Sequence, residues 1–182
     1  GTDVYGKTLG LVGLGLIGTA VAKRARGFDM EILYHSRTRK PDVEDMYGLK
    51  WVSDLDKLLP ASDYVSVHVP LGPETQGFIG SKEIGKMNES AFLINTSRGG
   101  TVDPDALREA LTAGKIAGAA LDVTLPEPIS PNDPLIHMEN VIITPHIASA
   151  SVVTLRRMGL MAADNVISHL IGKPMSACLN PE

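Results

Sequence analysis

The stretch TLGLVGLGLIGTAVAKRAR, residues 8–26, decides how the chain folds. Residues 8–12 form a short apolar run of strand length, and residues 19–26 read as a helix. Between them lies Gly13-Leu14-Gly15-Leu16-Ile17-Gly18, the strand, tight turn and helix context of a dinucleotide fingerprint. Each glycine has a mechanical task there. Gly13 permits the sharp turn, Gly15 lets backbone approach a pyrophosphate, and Gly18 lets helix and strand pack closely. The pyrophosphate then sits at the helix N-terminus, where unpaired N–H groups and the helix dipole favour negative charge.

Working outward, residues 30–34 read as the second strand, whose end faces the adenosine ribose in such a fold. NAD-selective sites place an Asp or Glu about 20 residues beyond the glycines to take the ribose hydroxyls. Here the stretch is His35-Ser36-Arg37-Thr38-Arg39-Lys40, with no acid before Asp42. An Arg pairs with a 2′-phosphate where a carboxylate repels it, so the sequence favours NADP over NAD. Ser36, Arg37 and Thr38 are the expected contacts, with Arg37 foremost because it lies closest to the strand end. A solvated basic loop is the alternative reading.

Further along, short apolar runs alternate with helix-like segments. Strands are expected at 50–52, 64–68, 91–95, 117–123 and 141–144, and helices at 54–59, 81–86, 103–113 and about 151–171. Asp103 reads as an N-cap with Pro104 at the first helical position, and Gly114 closes that helix. The alternation specifies an α/β fold, a doubly wound parallel sheet with helices on both faces. Residues 126–134 hold four prolines and read as a rigid loop.

Composition bounds the function. With 182 residues, 43% hydrophobic and 21% charged, the chain suits one dinucleotide-binding domain spanning 1–182. No apolar run approaches the roughly 20 residues of a membrane span, and a net charge of −4 disfavours a nucleic-acid surface. A single Cys178 rules out an internal disulfide and fits a reducing, cytoplasmic setting. The five histidines show no HExxH-type spacing, so no metal is expected.

In a doubly wound sheet, ligands bind outside the carboxyl ends of the strands. Arg98 follows one expected strand, Glu127 another and His146 a third, which gathers an Arg, a Glu and a His on one rim. Read singly, each has a structural alternative: Arg98 as a cap or surface ion pair, Glu127 as a loop charge, His146 as a core histidine.

Taken in order, the glycine turn, Asn95-Thr96-Ser97-Arg98-Gly99, the Asp103 helix, Leu121-Asp122-Val123 through Glu127-Pro128, and Pro145-His146 resemble the D-isomer-specific 2-hydroxyacid dehydrogenases over nearly the whole chain. The segment 121–128 and the basic second-strand loop look most like the glyoxylate and hydroxypyruvate reductases of that family. The resemblance implies a Rossmann-type domain that binds NADP, or else NAD, and serves the reduction of a small 2-oxo acid, in a homodimer. It implies that Arg98 holds the substrate carboxylate, that His146 is the general acid, and that Glu127 hydrogen-bonds the far ring nitrogen to fix its tautomer. Pro70, Thr96 and Asp122 are implied cofactor contacts alongside Gly13, Gly15, Leu16, Ile17 and Gly18.

Three departures accompany the resemblance. Leu16 stands where many members carry an Arg on the pyrophosphate, and Ala148 stands where Gly is usual beside the nicotinamide. The family's substrate domain is also missing from these residues, and 151–182 is expected to be a helix and tail returning toward it, with Val152, Leu155, Met158, Ala162, Val166 and Leu170 on one apolar face. The other readings are a nicotinamide-sensing module similar to the family's corepressors, and a phosphoglycerate-type dehydrogenase.

Overall fold

The computed structural model describes residues 2–178 and 180. Among these, seven parallel strands form one sheet: β1 (Thr8–Val12), β2 (Glu31–His35), β3 (Lys50–Trp51), β4 (Tyr64–Val67), β5 (Phe92–Asn95), β6 (Gly118–Leu121) and β7 (Val141–Ile143). Their order is β3-β2-β1-β4-β5-β6-β7, so the winding reverses between β1 and β4. That reversal opens a crevice at the carboxyl ends of the two strands, where ligands of such sheets bind.

Both sheet faces are covered, as the near-continuous apolar runs require. Leu9 and Leu11 of β1 lie beside Ile32 and Tyr34 of β2, and these four enter one core with Ala22 and Ala25 of α1 (Leu16–Ala25). The residues of opposite parity, Val12 and Leu33, enter the other and larger core. There they join Leu58 of α3 (Leu55–Leu58), Ile84 of α4 (Ser81–Ile84) and Leu107 and Leu111 of α5 (Pro104–Thr112). Alternation along a strand thus feeds two cores, which is how a strand buried on both sides contributes to stability.

The Asp103 cap forms as expected: its carboxylate accepts from the N–H groups of Asp105 at 2.9 Å and Ala106 at 3.0 Å, with Pro104 at the helix start. The expected elements are found with boundary shifts of a few residues. One helix lies outside those expectations, α2 (Pro41–Tyr47), directly after the basic loop. Its start follows local rules, with Pro41 in the first turn beside Asp42 and Glu44, whose charges suit the positive end of the helix.

The chain divides into two compact units, Gly1–Pro145 and His146–Glu182. The sheet and α1–α5 belong to the first. The second holds α6 (Val152–Leu170), capped by Ser151, whose hydroxyl accepts from Thr154 N–H at 3.1 Å. Its tail folds back on the helix, where Asn165 Oδ1 accepts from the Ser176 hydroxyl and the Ala177 N–H, both at 3.2 Å. The apolar residues Val152, Leu155, Met158, Val166 and Leu170 of α6 are all exposed. No helix among the described residues is long and apolar enough to cross a membrane.

Candidate active site and dinucleotide groove

The glycine turn makes the sharp turn and the close packing its spacing assigns, and leaves open backbone where the third task lies. Gly13 has φ +99°, a backbone state that side chains rarely adopt, and its N–H reaches the His35 carbonyl at 2.8 Å. A Cβ at Gly13 would lie 2.7 Å from the His68 carbonyl oxygen, and one at Gly18 would lie 2.5 Å from the Gly13 carbonyl oxygen. Both positions are therefore closed to any side chain. At Gly15 the surroundings are opposite, because a Cβ there would meet nothing within 4 Å. The Gly15 backbone faces open space at the start of α1, which has neither a side-chain cap nor an acid in its first turn. Its first N–H groups are available to an anion.

That open space is part of a groove. One section, about 700 Å³, is lined by Gly15, Leu16, Ile17, His68, Pro70, Thr96, Ser97 and Arg98. A second section, about 590 Å³, is lined by Val12, His35, Ser36, Arg37, Pro70 and Glu74 among others. Val69, Pro70 and Leu71 border both, so the sections adjoin along the carboxyl ends of β1, β2, β4 and β5. Leu16 is 94% exposed and Ile17 65%, so two large apolar side chains stand at the groove beside the helix N-terminus. A bare helix N-terminus, a backbone left open at Gly15 and a groove running on to Arg37 fit an extended anionic dinucleotide. Among the described residues, no group of three or more His, Cys, Asp or Glu is placed to hold a metal ion.

The loop after β2 sorts its cations. Arg39 is committed: its Nε and Nη2 donate to Glu44 on α2 at 3.0 and 2.8 Å, and its guanidinium lies 5.7 Å from the Trp51 ring centroid. Glu44 also accepts from the buried Tyr34 hydroxyl at 2.6 Å, while that hydroxyl accepts from Lys40 N–H at 2.8 Å. The Arg39 and Tyr34 hydrogen bonds hold the Glu44 carboxyl below its ordinary range. Burial, followed by the bond to Glu44, pushes the Tyr34 hydroxyl up to about 12, so it remains a donor. Arg37 is the arginine of this loop that lines the groove, beside Ser36; Thr38 contributes its carbonyl, which accepts from the Ser36 hydroxyl at 2.7 Å.

Arg98 projects from the loop after β5, exposed, above a buried polar knot. Asn95 is 1% exposed, and its side-chain amide donates to the Arg98 carbonyl at 3.0 Å. Its Oδ1 accepts from the Ser97 N–H at 3.0 Å and the Ser97 hydroxyl at 2.8 Å. The Thr101 hydroxyl, fully buried, donates to the same Arg98 carbonyl at 2.7 Å. Asn95 and Thr101 thus fix the backbone that presents Arg98, and sequence reasoning missed both. A polar residue closing an apolar strand, as Asn95 does in Phe92-Leu93-Ile94-Asn95, was the available signal.

Glu127 is exposed in the loop after β6, between Pro126 and Pro128. This loop touches the Arg98 loop directly: a Cβ on Gly99 would overlap the Thr124 carbonyl, so only glycine permits the approach. Beneath them Asp122, 5% exposed, accepts from the Thr144 hydroxyl at 2.5 Å, and its N–H donates to the Asn95 carbonyl at 2.9 Å. The strand ends of β5, β6 and β7 are tied together there. His68, whose side chain borders the groove, has an imidazole pushed down to about 4 by burial and is neutral at pH 7. Its Nε2 lies 2.9 Å from the Ser66 hydroxyl.

His146 and Ala148 belong to the second unit, in the exposed segment before α6. His146 has φ +54°, a left-handed conformation uncommon for a residue with a side chain. The structure therefore lines one groove with Gly15, Leu16, Ile17, Ser36, Arg37, Pro70, Thr96 and Arg98. Gly13 and Gly18 lie in the turn that carries Gly15, Thr38 and the buried Asp122 are not in the lining, and Glu127 is on the loop that touches the Arg98 loop.

A doubly wound parallel sheet with this glycine turn and groove defines a dinucleotide-binding domain. The sequence pattern of the D-isomer specific 2-hydroxyacid dehydrogenase NAD binding domain matches residues 1–148, and the chain belongs to that family. It is 51% identical over 182 residues to a glyoxylate reductase of Korarchaeum cryptofilum, covering 100% of this chain and 54% of the relative. It is 45% identical over 183 residues to a glyoxylate/hydroxypyruvate reductase B of Pectobacterium carotovorum, covering 100% and 57%. Among solved structures, TT0316 protein from Thermus thermophilus superposes with a TM-score of 0.92 at 45% identity, over 99% of this chain and 56% of that one. D-lactate dehydrogenase with NAD+ from Lactobacillus jensenii does so with 0.90 at 34% identity, over 98% and 57%. The chain spans about half the length of the relatives it matches.

Proposed function

We propose that this chain is the cofactor domain of an NADPH-preferring reductase that converts glyoxylate or hydroxypyruvate to the corresponding 2-hydroxy acid. The observation that carries the reading is the groove itself. It runs from the bare N-terminus of α1, past Arg98 in one direction and to Arg37 in the other, and the loop directly after β2, where an NAD-selective site carries its acid, has none before Asp42. The relatives named glyoxylate reductase and glyoxylate/hydroxypyruvate reductase support the substrate class.

When bound, the reduced nicotinamide supplies hydride to the carbonyl carbon of the 2-oxo acid. The chain's own residues do the rest. The α1 N-terminus neutralises pyrophosphate charge, and Arg37 pairs with the 2′-phosphate. Arg98 holds the substrate carboxylate in its planar fork and places positive charge beside the carbonyl. His146 gives the carbonyl oxygen its proton, so the product is a neutral hydroxyl and the histidine must be reprotonated from solvent. The family resemblance assigns Glu127 the task of fixing the imidazole tautomer that donates.

The experiment is a reduction assay on the protein carrying its substrate-binding portion, following nicotinamide absorbance with each 2-oxo acid and each dinucleotide. The expected result is turnover of glyoxylate and hydroxypyruvate with a higher kcat/KM for NADPH than for NADH. Turnover confined to NADH, or to phosphorylated 2-oxo acids, contradicts it.

A further inference from the structure

We propose that Glu74 sets the balance between the two dinucleotides by occupying Arg37 in the free groove, a proposal that rests on reading Arg37 as the 2′-phosphate partner. Glu74 Oε2 lies 3.4 Å from Arg37 Nη1, and both residues line the same 590 Å³ section. Glu74 reaches Arg37 from a different element. The Thr75 hydroxyl donates to the Pro70 carbonyl at 2.5 Å and accepts from Gly72 N–H at 2.9 Å, which curls the loop after β4 and presents Glu74 across the groove from the β2 end.

The pair is built to open. Its side chains are 89% and 82% exposed, and exposed pairs of this kind are weak and screened by salt. A 2′-phosphate carries more charge than a carboxylate and accepts from the guanidinium fork more strongly, so it displaces Glu74 from Arg37. The displaced carboxylate then stands beside the phosphate as a like charge. NADPH must overcome both the lost pair and this repulsion, whereas NADH leaves the pair intact. Arg39 is held by Glu44, and of the loop's cations Arg37 is the one in the groove lining, so the response to the phosphate falls on Arg37 and Glu74 becomes a specificity determinant for one cofactor only.

The test is calorimetric titration of the chain and its Glu74→Gln, Arg37→Ala and double variants with NADPH and NADH. Glu74→Gln is expected to tighten NADPH binding roughly three- to tenfold at low salt, with NADH changed less than about twofold. In the Arg37→Ala background the same substitution is expected to tighten NADPH by a clearly smaller factor, because only the like-charge repulsion is left to relieve. An equal shift for both dinucleotides, no shift for NADPH, or a shift undiminished by Arg37→Ala would overturn the role of Glu74. If Arg37→Ala weakens NADPH while Glu74→Gln changes nothing, only the Glu74 proposal falls. If Arg37→Ala leaves NADPH affinity untouched, the 2′-phosphate reading falls with it.

Discussion

Replacing His146 by Ala is expected to slow reduction of glyoxylate by about 10²–10⁴-fold, the usual contribution of a positioned acid to a step that moves a proton. With the proposed role, the loss appears in kcat, because a proton donor acts on the oxygen only as negative charge develops there. Dinucleotide affinity should change little, since the groove is built from the first unit alone. The left-handed backbone of His146 complicates the substitution, because φ +54° suits His and Asn better than Ala. His146→Asn is therefore the better companion variant: it tolerates that backbone and keeps a hydrogen-bonding side chain, but it cannot release a proton. Both variants should be equally slow if proton donation is the role. Stopped-flow measurement of a single turnover separates this step from product release. A rate within a few-fold of the parent in either variant would remove His146 as the donor.

The second large effect divides two neighbouring glycines. Gly13→Ala is expected to cost stability, about 3 kcal/mol, because it combines a φ of +99° with a Cβ 2.7 Å from the His68 carbonyl oxygen. Gly15→Ala is expected to leave stability within about 0.5 kcal/mol of the parent, since its Cβ would meet nothing within 4 Å and the backbone φ of −79° suits Ala. In the proposed binding mode its methyl nevertheless stands where the pyrophosphate approaches the backbone. Overpacking of about 1–3 kcal/mol there corresponds to roughly tenfold to a hundredfold weaker dinucleotide binding. Urea unfolding and cofactor titration on the same two variants would separate the effects. A Gly15→Ala chain that binds as tightly as the parent would show that the pyrophosphate lies elsewhere.

What the sequence discloses follows from how local each signal is. The turn at residues 13–18 and the Asp103 cap rest on neighbours in the chain, and both form as their spacing dictates. Alternating apolar runs locate the strands, because a strand buried on both faces has no polar register to hide. Helix α2 is obscured because its seven residues offer a short pattern inside a stretch that reads as a charged loop. The commitment of Arg39 to Glu44 is hidden for a different reason: it depends on the buried Tyr34 hydroxyl, which only folding brings to Glu44. Asn95 and Thr101 escape notice because their role is to hold the backbone under Arg98 rather than to touch a ligand. The approach of Gly99 to Thr124, which sets the Arg98 and Glu127 loops side by side, joins residues from two different crossovers. No periodicity within either segment records it.

Calorimetric titration of the 182-residue chain with NADPH and NADH in parallel asks whether the groove from Gly15 to Arg37 receives a phosphorylated dinucleotide. The expected result is saturable one-to-one binding of both, with NADPH the tighter and its advantage shrinking as salt rises, because the proposed additional contact is an exposed ion pair. Tighter binding of NADH, or no binding of either, would contradict it.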